Sequence, residues 1–217
     1  ANKMLQLAQS YGSIAGYHQT ITTNGTVMTR ERARWLIDHH FEVTFSFDGP
    51  PAVNDRHRVM RNGVGSSSRA LRGLTNWVEE GGQGAILMTA TAENLPHLAE
   101  YVTWFLDQDP LHITQVGINS PQPNTEGWET GGPELAETVF AIWKTCEGRG
   151  VSFHGPGAQL PQYINAERPQ QRSCVDGDWI TGGPGRWPVY IAANGERSLC
   201  LVHHNDKRTS FDETNMM

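Results

Sequence analysis

Cysteine is scarce. The 217-residue chain has three, Cys146, Cys174 and Cys200, set far apart. Three scattered thiols make no disulfide framework and fit a reducing compartment. No apolar run approaches the roughly 20 residues that a membrane helix needs. No basic-then-apolar leader opens the chain. Lysine is equally sparse, at Lys3, Lys144 and Lys207. None of the three falls at an expected strand end, which counts against a Schiff-base aldolase or a similar barrel enzyme. Positive charge is not in excess either: the formal net charge is -6, whereas phosphate-backbone binding wants a basic face. These shortages point to a cytoplasmic protein with neither nucleic acid nor membrane as partner.

What remains is the composition of a globular domain, with 37% hydrophobic and 18% charged residues, in a chain long enough to bury a core. Strand and helix patterns alternate. A short helical pattern at 3–10 comes first. Strands are expected at 18–23, 43–47, 85–90 and 112–118, each with period-two or continuous apolar character and each closed by turn residues. Helices are expected after each. Thr29 is positioned to cap the first of these, with Ala33, Leu36, Ile37 and His40 inward. Residues 66–80 place Ala70, Leu71, Leu74, Trp77 and Val78 on one face, and Gly81 and Gly82 end that helix. Asn94 is positioned to cap the next, and a helix over 133–148 carries Val139, Ile142 and Cys146 inward. Strand–helix alternation of this kind implies parallel strands with right-handed crossovers. Beyond Gly150 the chain turns rich in Gly, Pro, Gln and Arg, and residues 188–200 read as a hairpin about Asn194-Gly195. The expected division is therefore 1–150 and 151–217.

In parallel α/β folds, ligands lie at the carboxyl ends of the strands. Here those ends are Thr22-Thr23-Asn24-Gly25-Thr26, Ser46-Phe47-Asp48-Gly49-Pro50, Thr89-Ala90-Thr91 and Asn119-Ser120-Pro121. All are polar, and four on one rim favour a site. Arg56 and Arg58 add cations just beyond the second strand; an arginine there either forks onto a carboxylate or is solvated in a loop. Asn62-Gly-Val-Gly65 ahead of a helix is an incomplete phosphate fingerprint and reads better as a plain helix start.

Taken in order, Thr23-Asn-Gly-Thr26, Ser46-Phe-Asp-Gly-Pro50, Asn54-Asp-Arg-His-Arg58 and Gly63-Val-Gly65-Ser66 resemble the consecutive middle motifs of radical S-adenosylmethionine (SAM) enzymes with a C-terminal SPASM region. That group includes anaerobic sulfatase maturases and maturases of ribosomal peptides, whose usual forms are TNGT, S-[IL]-DGP and HD-x-x-R. The resemblance covers residues 1–120 well and the tail loosely. It implies an α/β fold of parallel βα repeats, the third to sixth units of a partial (β/α)₆ TIM-like barrel, followed by a small irregular β-hairpin region. It also implies that Ser46 and Arg58 touch SAM, the arginine facing its carboxylate, and that Asn24 lies on a strand end facing the same ligand. Asn54 stands where the family has His.

The resemblance is incomplete. The family holds a 4Fe-4S cluster through Cys-x₃-Cys-x₂-Cys, and neither that motif nor a GGEP-like one occurs in these residues; both would lie upstream of Ala1. The cluster's open iron chelates SAM, and without it no electron reaches the sulfonium. The expectation is a truncated enzyme, inactive alone, that binds no cluster. The alternative is a cluster-less binding protein for a peptide or nucleotide-like ligand. In the tail, Cys174 and the run Val189 to Cys200 resemble the opening of a SPASM region, which implies auxiliary-cluster ligands at Cys174 and Cys200. His203 or His204 with Cys200 offers a zinc alternative, whereas Cys146, on an apolar helix face, reads as a buried thiol. Leu201 stands where, by this resemblance, sulfatase maturases have a catalytic Asp, which argues against sulfatase maturation and toward a peptide maturase. A four-strand slice has two raw edges, so pairing into a homodimer is also expected.

Overall fold

The computed structural model describes residues 6, 9–10, 19–119 and 132–155, and the backbone of 190–191 and 197–198. Two compact units divide the chain, Ala1–Leu160 and Pro161–Met217. In the first, β1 (Gln19–Thr23), α1 (Arg30–Asp38), β2 (Phe41–Ser46), α2 (Pro51–His57), α3 (Ser67–Glu79), β3 (Gly84–Thr89), α4 (Leu98–Leu106), β4 (Ile113–Asn119), α5 (Gly132–Gly148) and β5 (Ser152–His154) follow in order. All five strands are parallel and lie side by side in chain order. The fold is therefore α/β with a parallel sheet, as the strand–helix alternation implies. In the second unit, β6 (Tyr190–Ile191) and β7 (Arg197–Ser198) pair antiparallel, within the stretch expected to form a hairpin.

The sheet has one apolar face. Phe41, Val43 and Phe45 of β2, Ile86 and Met88 of β3, and Val116 and Ile118 of β4 are buried and belong to one core cluster. The helices bring Ala33 and Leu36, Ala70, Leu74 and Trp77, Val102 and Phe105, and Ile142 and Cys146 to the same cluster. Burying a side chain such as Phe45 or Ile86 contributes about 1.5–3 kcal/mol, so this layer holds the unit together. The intervening strand residues, among them Thr44, Ser46, Leu87, Thr89, Gln115 and Asn119, stay half-buried or exposed. Parallel sheets are usually buried on both faces and apolar throughout. The second face of this sheet, with Thr44, Ser46, Thr89, Gln115 and Asn119, is largely polar and left open by the helices.

Several local readings change. β5 is a fifth strand that three residues, Ser-Phe-His, announce too weakly in sequence; only its register against Gln115–Gly117 defines it. His40 does not extend the inner face of α1. The helix ends at Asp38, and His40 is exposed with φ 57°, turning the chain into β2. His39 stacks on Trp35 at 4.1 Å instead. Asn94 gives α4 no side-chain cap. Its carboxamide accepts from Thr91 N–H at 2.7 Å and donates to the Thr89 carbonyl at 2.9 Å, closing the turn after β3. Thr29 does cap α1, accepting from Arg32 N–H at 3.2 Å.

Candidate functional site

The loop after β1 is a tight turn. The Asn24 carboxamide oxygen accepts from the amide and hydroxyl of Thr26 at 3.2 and 3.0 Å, an Asx turn of the kind Asn favours. Gly25 has φ +71°, and a Cβ there would lie 2.7 Å from the Phe45 ring. Its carbonyl rests against Gly73 of α3, where a Cβ would sit 2.0 Å from the oxygen. Two glycines thus let the turn lie flat on the helix, and Asn24 is left exposed on the rim.

Ser46 is the last residue of β2, half-buried on the polar face and in register with Leu87. The chain then passes through Asp48 into α2, and Arg58 returns to it. Arg58 donates from Nε to Asp48 Oδ2 at 2.7 Å and from Nη2 to Oδ1 at 2.8 Å. This planar two-point pairing is the strong form of an arginine–carboxylate contact. Arg58 is thus the forking arginine of the two that the sequence marks. Arg56 lies on the surface beside Glu93 at 3.4 Å.

Asn54 and Asp55 hold this loop. Asn54 is wholly buried, and its oxygen accepts from Asp48 N–H at 3.2 Å. Its Nδ2 has no hydrogen-bond partner among the described residues. Asp55 accepts from the Ser67 amide at 2.8 Å and the Ser67 hydroxyl at 2.7 Å. It supplies the cap of α3 that Ser66 does not make. Burial pushes the Asp55 carboxyl up, but the hydrogen bonds from Ser67 outweigh it, with the nearby polar groups of Asn54 and Ser66 adding to them, and leave the group below its ordinary value. A Cβ on Gly65 would collide with this carboxylate at 2.1 Å, so the Gly63-Val-Gly65 stretch leaves room for a cap from Asp55. It is a helix start, as the incomplete phosphate pattern indicates.

Beyond Asp48 lies a hollow of about 280 Å³, lined among others by Arg56, His57, Glu93, His97 and Tyr101. His57 Nε2 lies 3.1 Å from Glu93. The site residues read from sequence are therefore brought together in part. Arg58 pairs with Asp48, two residues past Ser46 at the end of β2, and Asn24 follows the end of the adjacent β1. Cys174 and Cys200 lie outside the described residues. Asp48 as the partner of Arg58 went unread; the Asp-Gly-Pro turn ten residues ahead of the arginine was its only sequence signal.

The described residues do not themselves form a site for a 4Fe-4S cluster. Such a cluster needs three thiolates, and no three His, Cys, Asp or Glu side chains converge among the described residues. Cys146 is fully buried in the core, and burial pushes its thiol up to about 11. A thiol held neutral in the core is not a cluster ligand.

No family model matches the chain. It is 36% identical over 180 residues, 76% of its length, to Fe-coproporphyrin III synthase of Methanosarcina barkeri. It is 27% identical over 128 residues to an uncharacterised protein of Synechocystis. It spans 44% and 31% of these relatives, so less than half of either. Among solved structures, anSMEcpe with bound AdoMet and the Kp18Cys peptide superposes with a TM-score of 0.56 at 15% identity, over 88% of this chain and 53% of that one. Streptococcus suis SuiB bound to its precursor peptide SuiA gives 0.56 at 14%, over 89% and 44%. These structures share the fold. Together with the ordered rim motifs and the sequence relatives, they establish that the chain belongs to the radical SAM superfamily.

Proposed function

We propose that the first unit is the SAM-facing part of a radical SAM enzyme that modifies a peptide or protein, and that this stretch alone is not catalytically competent. The observation that carries the reading is the polar face of a parallel sheet ending in Ser46, with Arg58 folded back onto Asp48 two residues beyond. In this reading Arg58 faces the methionyl carboxylate, Ser46 contacts the same ligand, and Asn24 edges the site from β1. A cluster bound as in the family would supply the electron for SAM cleavage, held by residues outside those described. The residues here bind and orient SAM rather than deliver that electron. The peptide complexes of anSMEcpe and SuiB support the substrate class.

A second reading has its own support. The M. barkeri relative shares over twice the identity of those structures, and its name assigns it an iron porphyrin product. Cys174 and Cys200 are proposed as auxiliary-cluster ligands, and β1–β4 as the third to sixth strands of the barrel, with β5 following them.

The test is calorimetric titration of the chain with SAM, wild type against Arg58→Ala. Binding that the variant loses supports the half-site. Binding equally strong in both would refute the role of Arg58. Titration with coproporphyrin, followed by its absorption band, and with unstructured peptides separates the two substrate readings. Iron content after anaerobic reconstitution, with Cys174→Ser and Cys200→Ser as controls, tests the tail.

A further inference from the structure

We infer that Asp48 is a positioning residue, which holds the Arg58 guanidinium so that its far edge is presented to a ligand carboxylate. This rests on the reading that Arg58 faces the carboxylate of SAM. A guanidinium carries five N–H donors in one plane. Asp48 takes the side-on pair, Nε–H and one hydrogen of Nη2. The remaining hydrogen of Nη2 and both on Nη1 have no partner among the described residues. They include a second, end-on fork that matches another carboxylate. A ligand carboxylate therefore docks without displacing Asp48.

Burial favours the same assignment. Within the pair the Asp48 side chain is 15% exposed and that of Arg58 31%, so the arginine is the more open member of the two. Asp48 is in turn held through its backbone. Its N–H donates to the oxygen of Asn54 at 3.2 Å, and Asn54 is fully buried. The order of constraint runs from the core through Asn54 to Asp48, and from Asp48 to Arg58. An arginine whose rotamer is fixed beforehand loses less freedom on binding, which raises affinity.

The sign of one substitution distinguishes orientation from competition. If Asp48 merely neutralised Arg58, Asp48→Asn would strengthen binding of a carboxylate, since it removes a negative charge beside the ligand. If Asp48 orients Arg58, the same variant weakens it. The experiment titrates the full chain with SAM and with 5′-methylthioadenosine, which keeps the adenosine and lacks the carboxylate. Arg58→Ala is expected to weaken SAM about tenfold, or about 1.4 kcal/mol, and to leave methylthioadenosine unchanged. Asp48→Asn is expected to weaken SAM roughly three- to tenfold with the same selectivity, and to add nothing in the Arg58→Ala background. Asp48→Glu, which keeps the carboxylate, is expected to fall between. Unchanged or tighter SAM binding by Asp48→Asn, with Arg58→Ala still weaker, overturns the inference and leaves the half-site reading standing. Equal weakening of both ligands by Asp48→Asn marks a merely structural role and overturns it too. No SAM-selective loss in Arg58→Ala removes the reading and the inference together.

Discussion

Gly73→Ala sets helix propensity against geometry. Gly73 lies inside α3, where alanine is favoured over glycine by about 1 kcal/mol. On that ground alone the variant is more stable. The new Cβ, however, would lie 2.0 Å from the Gly25 carbonyl oxygen and 2.9 Å from the carbonyl carbon. An ordinary contact needs about 3.5 Å, so the turn and the helix must part by roughly 1.5 Å. Neither yields easily. The turn is closed by Met28 N–H to the Gly25 carbonyl at 3.0 Å, and Asn76 of the same helix donates to the Met28 carbonyl at 2.9 Å. Overpacking of this kind costs about 1–3 kcal/mol, occasionally more. With the propensity gain subtracted, a net loss of about 1 kcal/mol is expected, or about 2–4 °C in Tm for a unit of this size. The control is Gly148→Ala at the end of α5, where a Cβ meets nothing within 4 Å and the variant should be neutral or slightly stabilised. Urea unfolding of both, followed by circular dichroism, measures the difference. A Gly73→Ala midpoint at or above wild type would refute the close approach of turn and helix.

Asp55→Asn should destabilise the unit by about 1 kcal/mol near neutral pH, through loss of the charged cap on α3. Because the folded Asp55 carboxyl sits below its ordinary value of about 4, its contribution is complete above that value and is lost as pH falls through the folded one. The urea midpoint of wild type should therefore drop more steeply than that of Asp55→Asn on acidification below about pH 4, and parallel curves would count against the cap. Cys146, with its thiol raised to about 11 and no exposed surface, should resist alkylation at pH 8 in the native protein and react on unfolding. Peptide mapping by mass spectrometry reads this directly, and rapid native labelling would contradict its burial. Glu80 is held below its ordinary value by Arg34 first, with burial opposing and Arg30 adding. This pairing ties α1 to α3 at the surface, so Glu80→Gln should lower Tm at low ionic strength and by much less in about 1 M salt, where such pairs are screened. An unscreened loss would indicate packing instead of charge.

The sequence carried the layer architecture because the strand residues that build the core recur at every second position, as in Phe41, Val43 and Phe45. It carried the cap at Thr29 and the turn at Asn24-Gly25 because those residues act on neighbours two or three positions away. It did not carry contacts across longer spans. Asp48 meets Arg58 ten residues later, and Asp55 meets Ser67 twelve residues later; neither pairing has a periodic signature. β5 was missed because three residues are too few to show alternation, and its partner is in β4. Asn94 misled because Asn serves a turn as readily as a helix cap, and the geometry of Thr89 and Thr91 decided for the turn.

The two faces of the sheet divide the work of evolution. Residues that build the core and residues that face away from it alternate along the same strands, so each set can change without the other. Replacing Thr44, Thr89 or Gln115 changes the open face and leaves Phe45, Ile86 and Val116 packed as before. A lineage built on this scaffold is free to redraw one face, with no intermediate that has to relearn how to fold.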